Sequence, residues 1–288
     1  MNATPLVQGS TIYMKIDSHQ HFWRYDPLRD SWINDSMAVL KRDFLPQDLA
    51  PELKAGGIDG CVAVQADQSE KETLFLLELA AKHKFVRGVV GWVDLCAPDV
   101  AERLEFFSGY DQLCGFRHIV QAESDARFML REPFLRGIAY LGELGFTYDV
   151  LIDAPQFPAA IELVGKYPDH PFVLDHLGKP PIKTKEFQPW AQHIRTLATN
   201  PHIYCKISGM VTEADWKNWR ADDFKPYLDL LFETFGAERL MFGSDWPVCL
   251  LAASYRQVLD LVANYTQKLT PLDRDKIFGI NAMRFYGL

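Results

Sequence analysis

The chain has 288 residues, of which 48% are hydrophobic and 24% are charged, and its formal net charge is -8. This composition excludes a disordered chain, a collagen-like chain and a small disulfide-stabilised protein, and the length fits a single α/β barrel of about 250 residues. The negative charge makes nucleic acids and anionic membrane surfaces poor partners, and no apolar run approaches the ~20 residues of a membrane-spanning helix.

The first thirteen residues, MNATPLVQGSTIY, have neither the basic segment nor the long apolar segment of a signal peptide. Met14 begins a strand-like pattern. We therefore expect residues 1–13 to be a tail or an incorrectly assigned start, and residues 14–288 to form the folded domain. The five cysteines include no CxxC pair, which indicates a reducing compartment, so we expect a cytoplasmic protein.

Short apolar segments alternate along the chain with longer amphipathic segments, and the spacing of roughly 20–50 residues leaves room for a crossover helix after each strand. This alternation, without an intervening linker, predicts a single (β/α)8 barrel. A doubly wound open sheet is the alternative, but it would need a glycine-rich phosphate loop, and the sequence contains neither GxGxxG nor GxxxxGK[ST]. The eight predicted strands are YMKID, GCVAVQAD, VRGVVGWVD, CGFRHIVQ, FTYDVLID, PFVLDHLG, HIYCKISG and RLMFGSDW.

Polar residues follow each of the predicted strands, and in a barrel the carboxyl ends of the strands form the mouth of one site. We expect Asp67, Asp94 and Asp153 to cap the helices that follow, because aspartate is a favoured N-cap residue. Histidine is not a favoured N-cap residue, so the histidines at strand ends indicate ligand binding or catalysis instead. The complete set is His19, His21, Asp67, Asp94, Gln121, Asp153, His176, Ser208 and Asp245.

Asp17, His19 and His21 alternate along the first strand and therefore point to the same side. Two imidazoles at the barrel mouth suit either a divalent metal ion or a carbonyl oxygen that needs two hydrogen-bond donors. His176 ends another buried strand and is expected at the same mouth, with a core histidine as the alternative. Asp245 follows an apolar strand and is suited to act as a general base toward water.

The chain resembles the amidohydrolase superfamily, and in particular its amidohydrolase-2 branch, through DSHQHFW, GFRHIVQ, LDHLGKP, CKISGM, FGSDWPV and IFGINAMRFYGL. That branch includes L-fuconolactone and L-rhamnonolactone hydrolases and pyrone-dicarboxylate lactonase. The resemblance extends from about Met14 to Leu288 and implies a hydrolase that opens a sugar-derived lactone, a carboxylic ester. A metal-dependent amidohydrolase or decarboxylase of the same superfamily and an inactive barrel that serves as a binding module are the alternatives.

For a lactonase we expect Asp245 to activate water, His19 and His21 to donate hydrogen bonds to the lactone carbonyl, and His176 to orient the water or carry a proton. Arg117 is expected to face the interior, with its neighbour His118 as the alternative, since adjacent strand residues point to opposite faces. The expected substrate contacts are Arg117, Lys206, Trp23, Ser244 and Trp246.

The superfamily's binuclear metal pattern adds a lysine or glutamate after strand four and a histidine after strand five, and this sequence has neither. The resemblance implies that lactonases of this branch require no metal, and a single Zn²⁺ on His19, His21 and Asp245 is the alternative. The expected partner is a small lactone. We expect a neutral aldonolactone rather than a pyrone dicarboxylate, because few cations stand near the strand ends and each buried carboxylate of a ligand needs one.

Overall fold

A computed structural model describes residues 13–288, so the predicted tail lies outside the described residues except for Tyr13. Each strand of the single sheet pairs in parallel with the next one along the chain. The strands are β1 (Ile16–Gln20), β2 (Gly60–Val64), β3 (Val86–Gly91), β4 (Leu113–Ile119), β5 (Thr147–Leu151), β6 (Phe172–Leu174), β7 (Tyr204–Ile207) and β8 (Leu240–Phe242).

Backbone contacts between β1 and the segment after β8 close the sheet into a barrel. Gln20 and Trp246 form a parallel bridge, and the His21 N–H donates to the Trp246 carbonyl at 2.7 Å. In the other direction, the Asp245 N–H donates to the His19 carbonyl at 2.8 Å. The predicted single (β/α)8 barrel is therefore confirmed, and its closure directly joins the backbones of the residues that the sequence singled out.

Helices follow the strands as the apolar periodicity predicts, and none in residues 13–288 is both long and apolar enough to cross a membrane. The α-helices are α1 (Pro46–Gly56), α2 (Glu70–Lys82), α3 (Val100–Phe107), α4 (Glu132–Glu143), α5 (Phe157–Lys166), α6 (Trp190–Leu197), α7 (Met210–Glu213), α8 (Ala221–Thr234), α9 (Tyr255–Tyr265), α10 (Pro271–Asp275) and α11 (Asn281–Tyr286).

The three aspartates that were predicted to cap helices behave differently from one another. Asp153 is the N-cap of a short 3₁₀ turn, and its N–H donates to the Gln156 side chain at 2.8 Å. Asp67 and Asp94 are not N-caps, which corrects the prediction for these two residues. Asp67 instead accepts from the hydroxyl of Ser69, which is itself the N-cap of α2, and Asp94 accepts from a backbone N–H two residues later.

Apolar residues fill the barrel interior and the layer between strands and helices. The interior residues of the strands pack against Phe285 and Tyr286 of α11. Gly279 lies so close to the start of β1 that an added Cβ would come within 1.9 Å of the Met14 carbonyl oxygen. The C-terminal segment therefore covers the amino-terminal end of the barrel, which leaves the carboxyl ends of the strands to form a site.

Candidate active site

A cavity of about 440 Å³ opens at the carboxyl ends of the strands. Trp23, Trp32 and Trp216 line it together with aliphatic side chains such as Ile119 and Leu151. A mostly apolar pocket with a few converging polar groups is the usual form of a small-molecule site. The ionisable residues in its wall are His21, Arg117, His176, Lys179, Glu213 and Asp245.

His21 and Asp245 face each other in this cavity. The Nδ1 atom of His21 lies 2.8 Å from the carbonyl oxygen of Val64, and a carbonyl only accepts hydrogen bonds. The neutral His21 ring therefore carries its proton on Nδ1. Its Nε2 lone pair points toward Oδ1 of Asp245, at 3.4 Å.

The Asp245 carboxyl is ionised at neutral pH despite being buried. Burial alone would raise the pKa of Asp245, but the side chains of His176, His21 and Arg117 around it hold it below its ordinary value. An ionised carboxylate in a mostly apolar cavity is a capable proton acceptor.

His176 approaches the same carboxylate from β6. Its Nε2 atom lies 4.0 Å from Oδ1 of Asp245, and its Nδ1 atom lies 2.9 Å from the Ser208 hydroxyl oxygen. Burial lowers the pKa of His176 to about 4, although the Asp245 and Asp175 charges oppose this shift. The ring is thus neutral near pH 7. Gly209 makes room for it, since a Cβ there would stand 2.7 Å from the imidazole.

The backbone at these two catalytic candidates is left-handed. The φ angles are 52° at His176 and 58° at Asp245, and Leu177 and Lys179 share this conformation. Such angles cost a residue other than glycine about 1–2 kcal/mol. Strained turns after β6 and β8 therefore direct both side chains toward the cavity, and residues held in this way concentrate at functional sites.

His19 is fully buried below the cavity rather than in its wall. Its Nε2 atom lies 3.2 Å from Arg117 Nη1, which can only donate. Its Nδ1 atom lies 3.3 Å from the Asp175 carboxylate and 3.0 Å from Lys206 Nζ, which can also only donate. Burial holds the pKa of His19 well below its ordinary value, so the ring is neutral. The Nε2 atoms of both histidines lie against other side chains, that of His19 against Arg117 and that of His21 against Asp245.

Lys206 lies beneath His19 in a fully buried ionic cluster. Its Nζ is 2.5 Å from Asp149 and 3.0 Å from Asp175, and the Tyr286 hydroxyl donates to Asp149 at 2.9 Å. Burial raises the pKa of Asp149 to about 6, even though Lys206 opposes the shift. Burial would also raise the pKa of Asp175, but Lys206, His19 and Arg117 hold it well below its ordinary value.

The predicted substrate contacts divide into two groups. Arg117 and Trp23 line the cavity, whereas Lys206, Ser244 and Trp246 do not. Lys206 is held by buried carboxylates. Ser244 accepts from the Trp246 N–H at 3.0 Å, and Trp246 packs edge-on against Phe44. These three side chains therefore lie behind the wall that a ligand would touch.

Arg117 points inward and His118 outward, as the parity of β4 predicts. Arg117 donates to His19, to Asp175 at 3.0 Å and to the backbone carbonyl of Gln65. His118 instead stacks on Phe128. The structure thus confirms that Arg117, rather than His118, faces the barrel interior.

Sequence reasoning missed Lys179, Glu213 and Trp216, all of which line the cavity. Lys179 stands in the LDHLGKP segment, directly after the turn that holds His176, so its position offered a signal. Glu213 ends the four-residue helix α7 and Trp216 follows in a loop. Neither position follows a strand directly, so no local pattern marks them.

A single divalent ion fits the donor chemistry of this site. Ligand atoms of His19, His21 and Asp245 lie within 4.8 Å of one another, and two imidazoles with a carboxylate suit Zn²⁺. The unprotonated Nε2 of His21 and the carboxylate of Asp245 are both acceptors, and such a pair favours a cation between them. Arg117 competes for this set, because it uses the lone pair of His19.

The chain matches the Amidohydrolase family over residues 16–288. It is 44% identical over 286 residues to an L-fucono-1,5-lactonase of Burkholderia multivorans, with 96% of each chain covered. It is 33% identical to an L-fucono-1,5-lactonase of Burkholderia ambifaria, covering 94% of this chain and 95% of that one. The crystal structure of a Burkholderia multivorans amidohydrolase with bound zinc has 44% identity and a TM-score of 0.92, covering 96% of this chain and 99% of that one. The chain is therefore a member of the amidohydrolase family, as its motifs predicted.

Proposed function

We propose that this protein is a lactonase that hydrolyses a neutral, sugar-derived 1,5-lactone such as L-fucono-1,5-lactone to the aldonic acid. The observation that carries this proposal is the ionised Asp245 in the cavity wall, 3.4 Å from the acceptor nitrogen of His21. A water molecule in the cavity can donate a proton to the Asp245 carboxylate, because an ionised carboxylate only accepts hydrogen bonds. The two fuconolactonase relatives support the reaction and the substrate class.

In the proposed reaction, the oxygen of this water attacks the lactone carbonyl carbon while Asp245 takes one of its protons. The bond from the carbonyl carbon to the ring oxygen then breaks. The ring oxygen receives the proton from the Asp245 carboxyl, directly or through His176, and leaves as a hydroxyl group. The carboxylic acid product ionises in water, so atoms and charge balance.

Arg117 stabilises the negative charge that develops on the carbonyl oxygen. Of the arginines in the described part of the chain, residues 13–288, it alone lies in the cavity wall. A positive charge in a buried setting stabilises an oxyanion far more than it would in water. We assign His19, Asp175 and Lys206 to the support of Arg117 and of each other, rather than to contact with substrate.

We propose that catalysis does not require a metal ion, because Arg117 already supplies a positive charge beside His19. If an ion is bound, His21 and Asp245 hold it together with His19, once Arg117 releases the His19 lone pair. A divalent cation there would polarise the lactone carbonyl and lower the pKa of a bound water.

A neutral substrate suits the charges of the cavity. Arg117 is paired with Asp175 at 3.0 Å, and Lys179 lies 3.6 Å from Glu213. Within residues 13–288, both cations of the cavity wall thus already have a carboxylate beside them, and Asp245 would repel a substrate carboxylate. We further propose a cytoplasmic location without nucleic-acid partners, because all five cysteines are free and the net charge is -8.

The test is acid release by the full-length protein from freshly prepared lactones, followed with a pH indicator and corrected for spontaneous hydrolysis. L-Fucono-1,5-lactone is expected to react well above background, and 2-pyrone-4,6-dicarboxylate to react much more slowly. No acid release from any lactone would reject the lactonase function. Faster hydrolysis of the dicarboxylate would reject the neutral substrate class, and release of CO₂ from a hydroxybenzoate would favour a decarboxylase.

A further inference from the structure

Three polar side chains on one side of the cavity have no part in the proposed reaction. Lys179, Gln121 and Glu213, here called the polar cluster, follow β6, β4 and β7 respectively and all line the cavity. The Nζ atom of Lys179 lies 2.9 Å from Oε1 of Gln121 and 3.6 Å from Oε1 of Glu213, and Oδ1 of Asp153 lies 3.5 Å from it. The cluster therefore presents a cation, an anion and an amide to a ligand from one side.

The ion pair in this cluster is loose. A charge-assisted hydrogen bond between an ammonium and a carboxylate is about 2.7–2.9 Å long, and the distance from Lys179 to Glu213 exceeds that. A hydroxyl oxygen beside the two groups can accept from Nζ and donate to the carboxylate at normal distances. Because Oε1 of Gln121 is engaged by Lys179, the two N–H groups of its amide remain to serve a second hydroxyl.

The backbone holds the polar cluster in place relative to the reaction site. The N–H of Lys179 donates to the His176 carbonyl at 2.7 Å, within the same left-handed turn. The carbonyl of Glu213 accepts from the N–H of Lys183 at 3.0 Å. A lactone whose carbonyl lies near Asp245 thus meets the cluster at a defined position.

An aromatic face accompanies the cluster. The indole N–H of Trp216 donates to the Thr212 carbonyl at 2.8 Å, and Trp216 lines the cavity. An indole held by its nitrogen offers its ring to an apolar ligand surface. A sugar ring can use both the polar cluster and the indole face. Its hydroxyl edges need donors and acceptors, and its C–H faces need apolar contact.

We propose that Lys179, Glu213 and Gln121 form the subsite that binds the ring hydroxyls of the lactone. This subsite, which presupposes the proposed lactonase function, determines specificity for polyhydroxylated lactones. The opposite charges of Lys179 and Glu213 offset each other, which suits a neutral polyol better than a carboxylate. Each hydroxyl that loses a charged partner loses binding energy in both the ground state and the transition state. The cluster therefore controls substrate choice, while Asp245 and Arg117 control the reaction itself.

The test compares kcat/KM for L-fucono-1,5-lactone with that for its 2-deoxy, 3-deoxy and 4-deoxy analogues. The wild-type protein is expected to prefer the fully hydroxylated compound by about tenfold or more over at least one analogue. In Glu213→Gln and Lys179→Met, this preference is expected to fall at least fivefold for the same analogue. Lys183→Met is the matched control, because Lys183 is exposed and close in sequence, and it is expected to keep the preference.

The outcomes separate the two proposals. A wild-type protein that does not hydrolyse L-fucono-1,5-lactone contradicts the proposed function. An active wild-type protein without preference for any hydroxyl contradicts the subsite, as does an unchanged preference in both variants. A variant that is inactive on all four lactones would assign its residue to catalysis or folding, and this also overturns the subsite.

Discussion

The Nε2 atom of His21 and the Oδ1 atom of Asp245 face each other at 3.4 Å, and both are hydrogen-bond acceptors when His21 is neutral. This follows from the Val64 carbonyl, which takes the only proton of the ring. With that proton on Nδ1, the neutral ring cannot donate a hydrogen bond to Asp245. The contact between two acceptors instead requires a donor from the cavity, and a water molecule is the simplest one.

Asp245→Asn is expected to lower kcat/KM for a lactone by about 10²–10⁴-fold, because the amide cannot take a proton from water. The amide N–H₂ can donate to Nε2 of His21, so the melting temperature is expected to stay the same or to rise. Steady-state kinetics and thermal unfolding measure the two effects. Asp260→Asn on the exposed face of α9 is the control. Activity within tenfold of the wild type would remove Asp245 from the role of base.

Gly209→Ala is expected to displace the His176 ring, since the new Cβ would stand 2.7 Å from it, and to lower kcat more than tenfold. Gly236→Ala is a matched control. The φ angle is 65° at Gly209 and 63° at Gly236. A Cβ added at Gly236, however, would have no atom of residues 13–288 within 4 Å outside its own neighbours. The control is expected to lose only about 1–2 kcal/mol of stability and to keep its activity. Equal kinetic losses in both variants would mean that contact with His176 is not the cause.

Lys206→Met is expected to destabilise the protein by about 3–5 kcal/mol, because it leaves the buried carboxylate of Asp149 without its cation and leaves Asp175 with Arg117 alone. Lys225→Met breaks an exposed ion pair on α8 and is expected to cost at most about 0.5 kcal/mol. Denaturant titration measures both. Adding Asp149→Asn to Lys206→Met is expected to restore part of the lost stability. A mild effect of Lys206→Met alone would show that the cluster does not depend on this charge.

Chelator treatment is expected to leave kcat/KM within about twofold, since the proposed reaction uses Arg117 and Asp245 rather than an ion. Metal content is measured on the same samples, so that retained activity can be assigned to metal-free protein. Added Zn²⁺ is expected to bind with lower affinity in His21→Ala than in the wild type. Metal-free protein that is inactive until Zn²⁺ is restored would make the ion part of the reaction.

His170 predicts a pH dependence of stability. Its ring is buried, burial lowers its pKa to about 4, and within residues 13–288 neither ring nitrogen has a hydrogen-bond partner. The unfolded chain protonates this ring below about pH 6.5, whereas the folded chain does so only near pH 4. Stability is therefore lost as the pH falls from 6.5 to 4, by about 3 kcal/mol from this group, and not further below pH 4.

The measurement for His170 is the free energy of unfolding at several pH values in the wild type and in His170→Phe. The variant is expected to lose less stability over this pH window. His202→Phe, which changes an exposed histidine, is expected to follow the wild type. Parallel curves for His170→Phe and the wild type would show that the buried ring does not contribute.

The convergence of His19 and His21 could be predicted from β1 alone, because alternate residues of a strand share a face. Their ring centroids do lie 5.0 Å apart. Which ring nitrogen carries the proton could not be predicted. The partners of the ring nitrogens come from distant strands: Val64 lies 43 positions from His21, and Arg117 and Lys206 lie 98 and 187 positions from His19. Lys206 was expected to contact substrate at the mouth, because the sequence of β7 alone does not show that Asp149 and Asp175 surround it.

The sequence by itself determined the eight-strand alternation, the opposite directions of Arg117 and His118, and the placement of His21, His176 and Asp245 at one end of the barrel. These features follow from local periodicity and from the common direction of parallel strands. The tertiary structure alone decided which polar side chains line the cavity and which are paired beneath it. That outcome depends on the closure of β1 against β8 and on the cost of burying each charge, and both involve partners from distant strands.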